Sequence, residues 1–352
     1  MKTESYTSRS KPDSGRRLDE AQHGDPSSRR SASRSSDASP PPAAPSPETS
    51  LLRRTQLLGP EDTAVAGELL RGGELVVIPT ETVYGLAADA TNSEAVQAIF
   101  AAKGRPQDNP LIVHLSSVSD ALQLIPDDLE AARRALASFA PGPLTVVVPS
   151  PTGIASVVRG GLDTVALRVP AHPGASAIIA AAGVPVAAPS ANRSGRPSPT
   201  TFAMARWEME GRVGGIVEGG DTDIGIESTV VDGTDPHSLR ILRPGSISAE
   251  ELREAIRVPI YTGGSAGDGE QRSPGTRYRH YQPTVPVEAF ESGTWDVVCR
   301  TILSDETEAI RVVLTATSEL PRAAHGKLDV VIMTSTAEYA RRLYREFRRA
   351  EE

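Results

Sequence analysis

From about residue 51 to 260 the chain repeats one pattern: a short apolar run, rich in β-branched residues, breaks off into a polar loop and is followed by a stretch of helical period. The runs lie at 75–78, 111–115, 144–149, 164–169, 185–188, 215–218, 228–232 and 239–242, and the helical stretches at 61–71, 93–103, 117–124, 127–139, 173–182, 200–210 and 249–256. Runs this short, with little polar alternation, suit strands buried on both faces. Strands interleaved with helices predict an α/β domain with a twisted mixed sheet. Gly72-Gly73 is expected to close the first helix and Ser93 to cap the second.

The flanks differ. Residues 1–50 hold 13 Ser and seven Pro, with seven acidic and eight basic side chains. So little apolar surface cannot offset the entropy of ordering, so this segment reads as a disordered tail, and its acids argue against a transit peptide. Residues 261–286, rich in Gly, Ser and Pro, read as a linker. Segments 297–302, 312–315 and 330–333 predict short parallel strands, and 336–350 an Arg-rich amphipathic helix, so 287–352 forms a small Rossmann-like α/β unit. No internal repeat is found.

A net charge of -8 excludes a basic nucleic-acid coat, and any RNA contact must be local. A single cysteine, Cys299, excludes an internal disulfide and a thiolate zinc cage, and points to a reducing, cytoplasmic setting. No apolar stretch is long enough for a membrane helix.

Chemistry concentrates where strands break off. Pro79–Leu86 brings the hydroxyls of Thr80, Thr82 and Tyr84 to a strand end, where α/β folds place ligands, though the same residues also build ordinary turns. Lys103-Gly104-Arg105 either complements a helix C-terminus or grips a polyphosphate. Asn109-Pro110-Leu111 and His114 follow, and His114 in an apolar strand also reads as a core histidine. Thr164, Ala166 and Arg168 share one strand face, and Arg168 needs either a bound carboxylate or an internal ion pair. Ala188–Gly195 with Ser198-Pro199-Thr200 is crowded with small donors ahead of a helix, and suits a phosphate or a plain capped turn. Ile226-Glu227-Ser228 and Leu242-Arg243-Pro244-Gly245 complete the core set, and Ser273–Pro283 packs two Tyr, two Arg and a His into the linker. P-loop, HExxH, CxxC and GxSxG patterns are absent, which leaves catalysis by positioning and charge stabilisation.

Taken in order, PTETVYGLAADA, KGRPQDNPLIVH, PGPLTVVV, TVALRVPAH, APSANRSGRPSPT, IESTVVD, ILRPGSIS and SPGTRYRHYQP resemble the threonylcarbamoyl-AMP synthase family, the YrdC-like proteins, in their long two-domain form. The resemblance covers about residues 57–283 and implies a twisted sheet around a deep basic cavity. It implies an L-threonylcarbamoyladenylate synthase, a nucleotidyltransferase joining ATP, bicarbonate and L-threonine for tRNA modification. By position it implies threonine contacts at Thr82, His114, Arg168 and Ser228. Lys103, Arg105 and Asn109 would grip the polyphosphate, with Lys103 and Arg105 stabilising developing charge. Thr164, Ser190, Asn192, Ser198 and Arg243 would add ATP contacts, with Tyr278 and His280 closing from the linker. Mg²⁺ is expected with the phosphates, with no metal site built by the protein. A tRNA threonylcarbamoyl transferase is the expected downstream partner. The same fold also implies an alternative, a non-catalytic double-stranded RNA or tRNA binder. The C-terminal unit is expected to be shorter than in other long-form members.

Overall fold

The computed structural model describes residues 54–262, 283, 310–315 and 328–351. The tail at 1–50, most of the linker with Tyr278 and His280, and the strand expected at 297–302 lie outside the described residues.

Eleven strands form one mixed sheet in the order β1-β8-β2-β3-β7-β4-β6-β5-β9-β10-β11. They are β1 Gln56–Leu58, β2 Val76–Ile78, β3 Gly85–Asp89, β4 Ile112–His114, β5 Leu144–Pro149, β6 Thr164–Arg168, β7 Val186–Ala187, β8 Gly215–Val217, β9 Thr229–Asp232, β10 Leu239–Arg243 and β11 Ile260–Thr262. The helices are α1 Thr63–Arg71, α2 Ser93–Lys103, α3 Val118–Gln123, α4 Glu130–Phe139, α5 Pro173–Ala182, α6 Phe202–Met209 and α7 Ala249–Ile256. A parallel pair, β12 Ile310–Thr315 and β13 Leu328–Met333, precedes α8, Thr336–Glu351. The eight apolar runs of the core all become strands.

Two expectations need correction. Ser93 is not the cap of α2: Asn92, in extended backbone, accepts from the amides of Glu94 and Ala95, and Ser93 becomes the first helical residue. The linker does not begin at 261, because Tyr261 and Thr262 pair with β10. At the other end of α2, Gly104 takes φ +61°, a left-handed turn that glycine adopts without strain.

Strand register decides where the open space lies. Val77, Leu86, Ala88, Val113, Val146, Val165 and Leu167 face a large core shared with α2, α4 and α7. The opposite face is divided. Over β2, β3 and β7 it is covered by α1 and α5, through Ala66, Leu70, Ile178 and Ile179. His114 pairs with Val186 of that covered face, Arg168 pairs with His114, and Val147 with Ala166, so the same face continues across β4, β6 and β5. There α1 and α5 no longer cover it, and it forms the floor of a cleft.

At the β9–β10 pair the register slips: Ile241 opposes Val231, but Arg243 opposes Val230. Helix α8 rests on the domain beside the cleft. Tyr344, Leu343 and Phe347 pack with Val83 and Met204. Arg348 pairs with the buried Glu208 at 2.5 Å and lies 3.6 Å over the Trp207 ring, and Arg345 pairs with Asp221.

Candidate active site

The cleft encloses about 710 Å³ of non-atom space, open solvent included. Of the residues expected from the sequence, Thr82, Lys103, Arg105, His114, Arg168, Ser190, Asn192, Ser228 and Arg243 line it together. Four cations and one carboxylate, Glu227, are among the lining groups, which gives it a basic character. Asn109, Thr164 and Ser198 do not line it. Asn109 is buried in the turn before β4. Thr164 lies at the far end of β6, about 13 Å along the strand from Arg168. The Ser198 hydroxyl donates to Glu227 at 2.6 Å.

At one end of the cleft Arg168, only 4% exposed, donates through Nη2 to Glu81 Oε1 at 2.7 Å and to Thr82 Oγ1 at 3.0 Å, and through Nε to the carbonyl of Gly142. The internal ion pair is therefore the arrangement realised, and Arg168 still lines the cleft. Thr80 serves the turn: its hydroxyl donates to the carbonyl of Val83 and accepts from the amides of Thr82 and Val83. The Thr82 hydroxyl lies 2.9 Å from that of Thr80 and accepts from Arg168. His114 is buried, and burial, then the charge of Arg168, pulls its pKa down to about 3, so it is a neutral imidazole at neutral pH.

Ser228 closes the opposite wall. Its hydroxyl meets Thr145 Oγ1 at 2.8 Å and accepts from Arg243 Nη2 at 3.1 Å, and Arg243 also donates to the Ser228 carbonyl at 2.8 Å. Tyr84, pushed up to about 12 by burial, donates its hydroxyl to Gly220, so the 219–228 loop is tied to the Thr82 turn.

Lys103 is buried and donates to the carbonyls of Ser190 and Asn192, both at 2.5 Å, in the loop whose Ala191 amide reaches the carbonyl of Tyr84. Burial, then the neighbouring Arg105, holds its pKa well below the usual lysine range. Asn192 accepts from Ser190 Oγ and donates to the carbonyls of Arg193 and Arg196. The loop after β7 is thus held in shape by Lys103 and Asn192. Arg105 donates to the carbonyl of Pro110 and borders the cleft.

Sequence reasoning missed four polar groups here. Glu81 and Glu227 lie inside quoted motifs, but nothing in their neighbourhoods marks Arg168 or Ser198 as partners. Thr145 is a lone hydroxyl in an apolar strand, the one local signal that was available. Tyr344, whose hydroxyl reaches Glu227 Oε2 at 2.7 Å, comes from α8, far along the chain.

A cleft at the strand ends of a mixed α/β sheet, lined by a buried arginine, by hydroxyls and by a lysine-braced loop, is suited to a small polar ligand. Comparison narrows this class. The family model of Sua5, YciO and YrdC proteins, described as telomere recombination, matches residues 68–245, and that of the threonylcarbamoyl-AMP synthase C-terminal domain matches 247–352. The chain belongs to the Sua5/YciO/YrdC family. It is 46% identical over 231 residues to the threonylcarbamoyl-AMP synthase of Bacillus subtilis, covering 65% of this chain and 66% of that protein. It is 44% identical over 241 residues to that of Pyrococcus abyssi, covering 68% and 70%. The matches thus span about two thirds of these relatives. The crystal structure of P. abyssi Sua5 complexed with L-threonine superposes with a TM-score of 0.73 at 34% identity, covering 84% of this chain and 89% of that one.

Proposed function

We propose that this chain is a threonylcarbamoyl-AMP synthase, joining L-threonine, bicarbonate and ATP with release of pyrophosphate. The observation that carries the proposal is that one cleft is lined by Arg168, Thr82 and Ser228 and also by Lys103 and Arg105. An amino acid and a polyphosphate can then meet over a sheet floor that presents Ile112 and His114.

Arg168 takes the threonine carboxylate in a charge-assisted pairing beside its bonds to Glu81 and Gly142. Thr82, Ser228 and the neutral His114 fix the remaining polar groups. The threonine amine adds to bicarbonate, and loss of water leaves a carbamate. A carbamate oxygen then attacks the α-phosphorus, and the P–O bond to pyrophosphate breaks. Arg105 and Arg243 stabilise the charge that builds on the phosphoryl oxygens, while Lys103 holds the Ser190–Asn192 loop in the shape that receives the nucleotide. Tyr278 and His280 extend the ATP contacts, whereas Asn109, Thr164 and Ser198, which stand off the cleft, take no part in them. Mg²⁺ held by the nucleotide's phosphates would supply charge neutralisation there. The lining groups, mostly cations, hydroxyls and amides, suit a metal held by phosphates and water rather than by a protein cage. A tRNA threonylcarbamoyl transferase consumes the adenylate, and the work is cytoplasmic. A non-catalytic RNA-binding role has less support, because Arg342, Arg345, Arg348 and Arg349 of α8 are paired with acids.

Pyrophosphate release from ATP by the purified chain is expected only when threonine and bicarbonate are both present. Arg105→Ala should reduce it by at least about a hundredfold, the loss of one charge-stabilising donor. Release that ignores threonine would exclude the synthase.

A further inference from the structure

We propose that Tyr344, on helix α8 of the C-terminal unit, is a positioning residue for the threonine end of the cleft, acting through Glu227. This rests on the proposed synthase reading, since it names a regulator of that same subsite.

Helix α8 touches both loops that carry the threonine contacts, and touches each from behind. On the first loop, Val83, the neighbour of Thr82, packs with Leu343, Tyr344 and Phe347. On the second, Gly225 lies so close to α8 that an added Cβ would stand 2.3 Å from Arg341 Cα. The two loops are also tied to each other, the amides of Ile224 and Gly225 donating to the carbonyls of Glu81 and Thr82.

Glu227 joins these contacts to the cleft. Its Oε2 accepts from the Tyr344 hydroxyl at 2.7 Å, its Oε1 accepts from Ser198 at 2.6 Å, and the side chain lines the cleft wall. The next residue is Ser228, held by Thr145 and Arg243. A carboxylate with a donor on each oxygen has one orientation, and hydrogen bonds to a charged acceptor are the strong ones. Removing the Tyr344 hydroxyl frees one oxygen of Glu227 to turn toward the cleft. The negative charge beside the threonine site then loses its fixed place. The ring of Tyr344, 5% exposed, fills the apolar contact with Val83 and Met204 whether or not it carries a hydroxyl. Tyr344→Phe therefore separates positioning from docking.

The test uses the full chain. L-threonine binding is measured by calorimetry, and KM for threonine and for ATP by pyrophosphate release, for wild type, Tyr344→Phe, Glu227→Gln and the double variant. The expected result is a KM for threonine raised on the order of tenfold in Tyr344→Phe, as for loss of one hydrogen bond to a charged group, with KM for ATP changed less than about twofold and an unchanged melting temperature. The double variant should be no worse than Glu227→Gln alone, because the two groups act as one unit. Equal threonine affinity in wild type and Tyr344→Phe overturns the proposal, as do additive losses in the double variant or equal rises in both KM values. Should Tyr344→Phe melt early, Arg345→Ala, which loosens α8 at Asp221 alone, supplies the comparison: loss of threonine affinity there equal to that of Tyr344→Phe would assign the effect to docking and overturn the proposal. A wild type that binds no threonine at all overturns the synthase reading instead.

Discussion

The buried ion pair between Arg168 and Glu81 gives the most demanding prediction. Glu81 is 6% exposed and Arg168 4%, and Nη2 stands 2.7 Å from Oε1. Replacing Glu81 by Ala leaves a guanidinium in the sheet floor with only the Thr82 hydroxyl and the Gly142 carbonyl as acceptors. Breaking one half of such a pair costs about 3–5 kcal/mol. For an ordered body of this size each kcal/mol lowers the melting temperature by roughly 2–4 °C, so Glu81→Ala should melt about 10 °C early. Replacing both residues by Met removes the stranded charge as well as its partner, and should recover most of that loss. The chemistry should respond oppositely. The double variant, though stable, should bind no L-threonine, because the carboxylate partner is gone. Chemical denaturation with calorimetric threonine titration reads both effects. If Glu81→Ala loses less than about 1 kcal/mol, or the double variant is no more stable than Glu81→Ala, then the pair is not the buried electrostatic unit described above.

Two further outcomes follow from the same structure. His114 has a folded pKa of about 3, below its unfolded value, so the unfolded chain binds the proton first. Stability is full above about pH 6.5 and falls as pH drops toward 3, by up to about 1.4 kcal/mol per unit; urea midpoints between neutral and acid pH should show this slope, and His114→Asn should flatten it. Asn92→Ala should cost about 1 kcal/mol as loss of a helix cap, whereas Ser93→Ala should cost less than about 0.5 kcal/mol, and equal losses would contradict the cap geometry.

Much of the frame was legible because burial on both faces leaves a plain signature. Val76–Ile78, Ile112–His114, Leu144–Pro149 and Thr164–Arg168 are apolar runs, and each became a strand within a residue or two of its expected limits. The strands that escaped notice carry no such signature. Gly85–Asp89 is built of Gly, Leu, Ala and Asp, poor strand formers by propensity, and becomes a strand because β2 and β7 flank it on both sides. Gln56–Leu58 and Ile260–Thr262 are edge strands of three residues, too short to show a period. The site divides the same way. Arg168 and Lys103 stand out as charges in apolar company. Their partners do not: Glu81 is 87 residues from Arg168, and Ser190 is 87 from Lys103. Tyr344 lies 117 residues from the glutamate it reaches. Such pairings are set by how the strands are ordered in the sheet, which no local pattern states. Asn92 and Ser93 show a smaller version of the same limit, since two adjacent residues can both cap and only the backbone path decides between them.

The slipped register of β10 has a consequence for chain length. In a regular strand Arg243 would share a face with Ile241, whose side chain leans toward the helices. The extra residue, with Leu242 and Arg243 together opposite Val230, turns the guanidinium over to the cleft, where it reaches Ser228. The cation's place over the cleft therefore survives loss of the extra residue: a homologue one residue shorter at this point would set its arginine where Leu242 stands, directly opposite Val230 on the same face. What that homologue would lose is the packing of Leu242 against Ile112, Val147, Ala166 and Val230. Deleting Leu242 should accordingly cost stability while leaving the arginine over the cleft.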